Sequence, residues 1–383
     1  MKKGIFLIVG ILFSSLIFAQ SEVKEDSLDI MIGQMIMVGI GDFSTPDTSQ
    51  PIFDEIKEGK VGGVVLYQKN LSDKKTRFNL SQLNTRLQKN ASIPLFIGID
   101  EEGGKVTRLK EKYGFPKNVS AQYLGEVNDL DSTYFYANAR SGLLDSLNIN
   151  MNYAPVVDVN INSESPAIGK LERSYSENYM DVFNHSTRVI EAHNKNNVVS
   201  VLKHFPGHGS SRNDTHLGIT DVTSTWQFEE LYPYKKLIDS GSVKAIMTAH
   251  IVNESLDKTK VPATLSHRVV TSMLRDFLGY DGVVMTDDMQ MGAIKNEFGT
   301  KEAVKLSILA GVDILMFANN VKDYDMISAD SIHTLIKELV AEGVITRERI
   351  EESFKRIMSL KAEFGLLEED YYKALKNKLK ASN

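Results

Sequence analysis

The sequence predicts an α/β fold, a (β/α)8 barrel of the TIM type built as a single domain. Three observations predict it. Eight short apolar runs recur along the 383 residues. Most are β-branched and continuous rather than alternating, which suits strands buried on both faces. Stretches with helical spacing separate them, and strand–helix alternation repeated eight times is the pattern of a closed barrel. A doubly wound sheet uses the same units, but the count of eight favours the barrel. Hydrophobic residues make up 42% and charged residues 25%, ordinary for a globular chain long enough to bury a full core.

The apolar runs are residues 34–40, 61–67, 94–100, 149–159, 198–204, 243–251, 282–287 and 312–318. Helical spacing occupies 77–88, 129–147, 180–194, 228–239, 266–278 and 301–309. Residues 330–367 carry two more helical patterns, with Gly365 placed to end the second, and 368–383 read as a charged terminal helix. No Pro/Gly/Ser-rich linker interrupts residues 21–383, so one barrel domain with C-terminal helices is expected there.

Residues 1–20, MKKGIFLIVGILFSSLIFAQ, read as a signal peptide. Lys2 and Lys3 give a basic start, residues 5–18 an apolar core short for a membrane span, and Ala19 a small residue at the cut. A retained anchor is the alternative. The expectation is an exported protein, periplasmic or secreted, with no stable membrane span after processing. Removal of the two Lys takes the net charge from −6 to −8, and no basic stripe offsets it, which argues against nucleic acid as a partner. The chain has no Cys, so disulfides, Cys-ligated metals and a lipid-modified Cys are excluded.

Barrel enzymes carry their chemistry on the loops after the strands, and titratable residues recur there. The third run ends in DEEGGKVTRL, residues 100–109; the fourth in APVVDVN, 154–160, followed by Arg173. The fifth leads into KHFPGHGSSRNDTH, 203–216, where Pro206 and Gly207 stop the strand and three His, one Lys and one Asp gather. The sixth ends in TAHI, 248–251, and the seventh in TDD, 286–288. One charged strand end is usually a cap; five on one face point to a site.

Two chemistries suit these groups. Hydrolysis at an acetal centre needs a carboxylate facing the anomeric carbon and a proton donor beside the leaving oxygen. Metal-assisted hydrolysis would use His204, His208, Asp214, His216 and His250 as ligands. The metal reading lacks a helical ligand spacing, and the Lys203 cation would repel an ion held beside it. No metal and no cofactor are expected.

The strings KHFPGHG and DTHLG resemble family 3 glycoside hydrolases, in particular the single-domain bacterial β-N-acetylhexosaminidases. Other landmarks agree in order: IDEEGGKVTRL at 99–109, APVVDV at 154–159, IMTAHI at 246–251, GVVMTDDMQMGAI at 282–294 and RIMSLKAEFGL near the end. The resemblance spans nearly all of the chain after residue 20. It implies that Asp287 is the nucleophile and His216 the general acid/base, with Asp214 as its partner. Asp288 is the lesser candidate, because adjacent strand residues point to opposite sides. An imidazole titrates near neutrality, and a neighbouring carboxylate favours and orients its protonated form. The resemblance also implies sugar-binding roles for Asp100, Arg108, Arg173, Lys203 and His204. Gly207 and Gly209 are expected to make the loop flexible, so that the dyad swings in over bound sugar.

Other residues have plainer expectations. His208 and His250 are structural, Asp158 is a structural hydrogen-bonder, Met285, Met289 and Met291 fill core, and Trp226 packs a loop. Residues 167–178 look longer than the family's usual loop and place Tyr175 where Phe is common. The chain lacks the second sandwich domain that supplies the acid/base in many family 3 β-glucosidases, which agrees with a loop-borne dyad and points to N-acetylglucosamine. The expected activity is therefore that of a retaining exo-β-N-acetylglucosaminidase. Its partner would be a β-linked N-acetylglucosaminide oligosaccharide from cell-wall fragments or chitin-like oligomers. A β-N-acetylglucosaminide phosphorylase and a non-catalytic sugar-binding barrel are the alternatives. Oligomeric state is not legible.

Overall fold

The computed structural model describes residues 27–47, 49–320 and 326–368. All eight apolar runs contain strands: β1 Ile36–Gly39, β2 Gly63–Leu66, β3 Phe96–Ile99, β4 Met151–Asn152, β5 Val199–Phe205, β6 Ala245–Thr248, β7 Val283–Thr286 and β8 Leu315–Phe317. Every neighbouring pair from β1 to β7 is parallel, and β1 also pairs with β8. The ring closes between β7 and β8 through one bridge, Met285 to Ile314, with Thr286 N–H donating to Ile314 O at 3.0 Å. Strands that follow in chain order around a closed ring exclude the doubly wound alternative, whose strand order reverses at a switch point.

β4 is much shorter than its apolar run. Pro155 cannot donate to a ladder, and pairing resumes only as the Val156–Lys203 bridge. The strands are fully buried, as their continuous apolar runs require. Inside the barrel, Gly98 leaves room for the Tyr153 hydroxyl, since a Cβ there would stand 2.3 Å from it.

The expected helices appear as Thr76–Asn90, Leu130–Ser146 and Tyr179–Lys195. Asp129 caps the second by accepting from Asp131 and Ser132 N–H, and Asn178 caps the third through Met180 N–H. Three others differ in detail. Residues 228–239 open as a 3-10 turn, Phe228–Leu231, before the α-helix Tyr232–Asp239. Residues 266–278 contain a π-helix, Arg268–Phe277. The pattern at 301–309 belongs to Gly292–Ala310, which breaks at Gly299, φ +67°. The C-terminal pair is Ala329–Ala341 and Arg347–Glu363, and Gly365 follows with φ +69°. Helices Ser27–Gln34, Pro51–Lys57 and Ala121–Val127 were not legible, because each spans about two turns and shows little period.

The expected signal peptide and charged terminal helix lie outside the described residues, apart from Glu368 at the start of the latter. Among the described residues no helix is long and apolar enough to cross a membrane.

Candidate active site

A cavity of about 520 Å³ opens at the carboxyl ends of the strands, within the range of small-molecule sites. Asp100, Arg108, Arg173, Lys203, His204, His216 and Asp287 all border it. Of the site residues anticipated from sequence, only Asp214 does not line the cavity itself; it stands behind His216.

The string DEEGGKVTRL folds so that each polar residue has a separate task. Gly103 (φ +105°) and Gly104 (φ +57°) turn the chain back in a small hairpin, a conformation that favours glycine. Glu101 fixes the turn by accepting from the Thr107 hydroxyl and from Arg108 and Leu109 N–H at 2.9 and 3.0 Å. This returns Arg108 to the cavity, where its guanidinium donates to Asp100 Oδ2 at 2.8 Å and lies 5.3 Å from the Tyr67 ring centre. Asp100 Oδ1 accepts from Lys203 Nζ at 2.7 Å.

Glu102, assigned no role from sequence, is the hub of this cluster. It takes Arg173 in a two-pronged pair at 2.8 and 2.7 Å and Lys203 Nζ at 2.6 Å. Burial raises the Asp100 and Glu102 carboxyls. Lys203 and Arg108 outweigh this for Asp100, and Arg173 and Lys203 for Glu102, so both stay ionised below the usual carboxylate range. Spacing was the available signal: residues two apart on an extended segment share a face, so Glu102 accompanies Asp100.

Lys203 and His204 are consecutive, yet both border the cavity. The register of β5 against β6 shifts between Leu202 and Phe205, which breaks strict alternation there. Arg173 Nη2 stands 3.1 Å from His204 Nε2. Arginine only donates, so Nε2 accepts and Nδ1 carries the proton toward Asp158 Oδ2 at 2.7 Å. Burial, with Arg173 and Lys203 nearby, pushes the imidazole well below its ordinary value and keeps it neutral. Asp158 also accepts from His208 N–H at 2.8 Å, so this buried acid ties β5 to the loop that follows.

Gly207 and Gly209 each have a packing reason. Gly207 has φ +119° and sits against Glu230, where a Cβ would fall 2.5 Å from the Glu230 Cβ. A Cβ on Gly209 would fall 1.7 Å from Val159 O, and its N–H donates to Glu230 Oε2 at 2.9 Å. The loop root is therefore buried and fixed. Burial pushes the Glu230 carboxyl up to about 7. Beyond the root the chain rises into solvent, and the His216 side chain is 70% exposed. Asp214 Oδ1 accepts from His216 N–H at 2.9 Å and faces its Nδ1 at 2.8 Å, leaving Nε2 to the cavity side. Burial raises the Asp214 carboxyl, but the His216 N–H and ring outweigh it and hold it below its ordinary value.

Asp287 directly follows β7, half-buried, with Oδ1 accepting Asp288 N–H at 2.8 Å. Burial raises its carboxyl, but His250, His204 and His216 together with that N–H hold it below its ordinary value, as a carboxylate. Asp288 borders the same cavity, contrary to the alternation expected from sequence, because the strand ends at Thr286. Its own oxygen is committed to Gln290 and Ala318 N–H at 3.0 and 2.9 Å, and burial pushes its carboxyl up to about 6. Asp287, ionised and accepting one N–H, is thus less committed than Asp288, whose Oδ1 accepts two.

His250 bridges Thr264 and Asp288 O, and His208, which also borders the cavity, bridges Ser211 and Thr215. Among the described residues no three His, Cys, Asp or Glu side chains are arranged to hold a metal. Met285 and Met289 are core, whereas Met291, also buried, borders the cavity. Trp226 packs against the core and donates to Pro206 O at 3.2 Å.

The fold and this rim define a (β/α)8 barrel with a carboxylate-rich site at the carboxyl ends of its strands. The family described as "Glycosyl hydrolase family 3 N terminal domain" matches residues 27–360, and the chain belongs to that family. A "Beta-hexosaminidase A" of Pseudoalteromonas piscicida is 31% identical over 364 residues, which cover 86% of this chain and 60% of that protein. The chain thus spans less than two thirds of that relative. A protein of Arthroderma benhamiae described as an "Uncharacterized secreted glycosyl hydrolase" is 29% identical, over 92% of this chain and 98% of its own length. The structure of a glycoside hydrolase family 3 β-N-acetylglucosaminidase from a Paenibacillus species superposes with a TM-score of 0.80 at 31% identity, covering 93% of this chain and 68% of that one.

Proposed function

We propose that the protein is an exported, retaining exo-β-N-acetylglucosaminidase that removes terminal N-acetylglucosamine from cell-wall fragments or chitin-like oligosaccharides. One observation carries the reading: an ionised carboxylate, Asp287, and a solvent-facing imidazole backed by a carboxylate, His216 on Asp214, border a single cavity with a cluster of sugar-binding polarity. Names of relatives supply the sugar, since two of those above are a β-hexosaminidase and a β-N-acetylglucosaminidase. Export rests on the basic-apolar start of residues 1–20 and on the relative described as secreted. Residues 21–383 would then be the mature barrel domain with its C-terminal helices.

In the proposed reaction an Asp287 oxygen bonds to the anomeric carbon as its bond to the leaving oxygen breaks. The electron pair of that bond goes to the leaving oxygen, which takes the proton from His216 Nε2. Water then attacks the anomeric carbon, gives a proton back to His216 and releases Asp287. Asp100, with Lys203 and Arg108, accepts and donates to ring hydroxyls, and Arg173 and His204 form the far wall. The low protonation point of Asp287 suits a nucleophile, and that of Asp100 suits a permanent acceptor.

The test is release of an aryl leaving group from chromogenic β-N-acetylglucosaminide and β-glucoside, with and without phosphate. Expected are hydrolysis of the N-acetylglucosaminide, loss of activity by several orders of magnitude in Asp287→Ala, and an ester on Asp287 trapped by a fluorinated sugar. Sugar-1-phosphate as the product would make it a phosphorylase. Equal activity of Asp287→Ala and wild type would sink the nucleophile.

A further inference from the structure

The loop bearing His216 touches the barrel at its root and at its tip. The root contacts, at Glu230 and Val159, lie below the cavity. At the tip, Ala293 N–H donates to Thr215 O at 3.4 Å, and Gly292 lies flat against the next two residues. A Cβ on Gly292 would stand 2.9 Å from His216 O and 3.1 and 3.2 Å from the Leu217 carbonyl carbon and oxygen. Gly292 is the first residue of the helix Gly292–Ala310, five positions after Asp287. The first N–H groups of a helix lack partners within it, and that end attracts carbonyl oxygens. The element that follows the nucleophile therefore also receives the acid/base loop.

The backbone at Gly292 does not call for glycine, because its φ is not in the left-handed range. Alanine forms helix more readily than glycine. Space is the remaining reason, and the atoms facing it are main chain, which cannot move aside as a flexible side chain does.

We propose that Gly292 is a positioning residue: its missing side chain lets the loop tip seat on the start of this helix, and that seat sets the reach of His216 toward the leaving oxygen opposite Asp287. This inference rests on the glycosidase reading above. A methyl group at 292 lifts the tip and leaves Asp287 and the sugar-binding cluster in place. Gly292 itself borders the cavity, but its Cβ would meet the main chain of His216 and Leu217, so the loss falls on proton donation and scales with how much the leaving group needs a proton.

The experiment compares wild type and Gly292→Ala on two β-N-acetylglucosaminides, one with a phenyl and one with a 2,4-dinitrophenyl leaving group. The readouts are kcat/KM, which reports the first bond-breaking step, and Tm. Relief of these contacts needs a shift of only a few tenths of an ångström; as a misplacement near 1 Å costs on the order of 10²-fold, a loss of roughly 5-fold is expected for the phenyl glycoside. The dinitrophenyl glycoside, whose leaving group departs without a proton, should change little, and Tm should stay the same or rise. Equal losses on both substrates, or unchanged activity on both, would overturn the assignment. Wild type inactive on both would instead remove the glycosidase reading beneath it.

Discussion

Lys361 offers a quantitative test of the barrel's closed end. Its side chain is fully buried, 5.0 Å from the Phe96 ring centre, and Nζ donates to two neutral acceptors, Gln34 Oε1 at 2.6 Å and Gly62 O at 3.0 Å. Burial brings its ordinary value of 10.5 down to about 7. In the unfolded chain the amine stays charged up to about 10.5, while in the fold it is neutral above about 7. Between these limits the unfolded state binds the extra proton, so stability rises with pH across that window and is flat below it. At about 1.36 kcal/mol per pH unit the whole effect is on the order of 4–5 kcal/mol. Between about pH 7.5 and 9.5 it is roughly 2–3 kcal/mol. Lys361→Met keeps an unbranched side chain one atom shorter and removes the titration. Urea unfolding of both proteins at the two pH values reads the effect directly, provided the m-values agree. Wild type should gain roughly 2–3 kcal/mol relative to the variant on going to the higher pH. Stabilities that move in parallel would show that Lys361 is not a neutral buried amine.

Two predictions concern the site. Glu102→Gln strips Arg173 and Lys203 of a shared buried carboxylate, so it should lower stability by about 3 kcal/mol or more, read by urea unfolding, and raise KM for an aryl N-acetylglucosaminide. Unchanged values of both would remove Glu102 from the cluster's centre. Asp214→Ala removes the group that aims His216, so kcat on a phenyl glycoside should fall by about 10²-fold or more while Tm barely changes, since the pair is exposed. A fall confined to Tm would make the dyad structural.

The sequence by itself determined the barrel and most of its rim. Continuous β-branched runs have few options other than strands buried on both faces, and eight of them with helices between define a closed ring. Strand ends then carry polar residues to one rim, and the family resemblance singled out Asp100, Lys203 and Asp287 among them. Tertiary structure decided what depends on contacts between distant segments. Glu102 became a hub only when Arg173 arrived from 71 residues away, and His204 became a neutral acceptor only once Arg173 and Asp158 took its two nitrogens. Asp287 was distinguished from Asp288 by which carboxylate the Gln290 and Ala318 N–H groups engage. Gly207, Gly209 and Gly292 looked alike as letters, yet each proved to be a place where another part of the chain comes too close for a side chain. Periodicity is a local property that a sequence carries openly, whereas partners and free space are set by the folded chain as a whole.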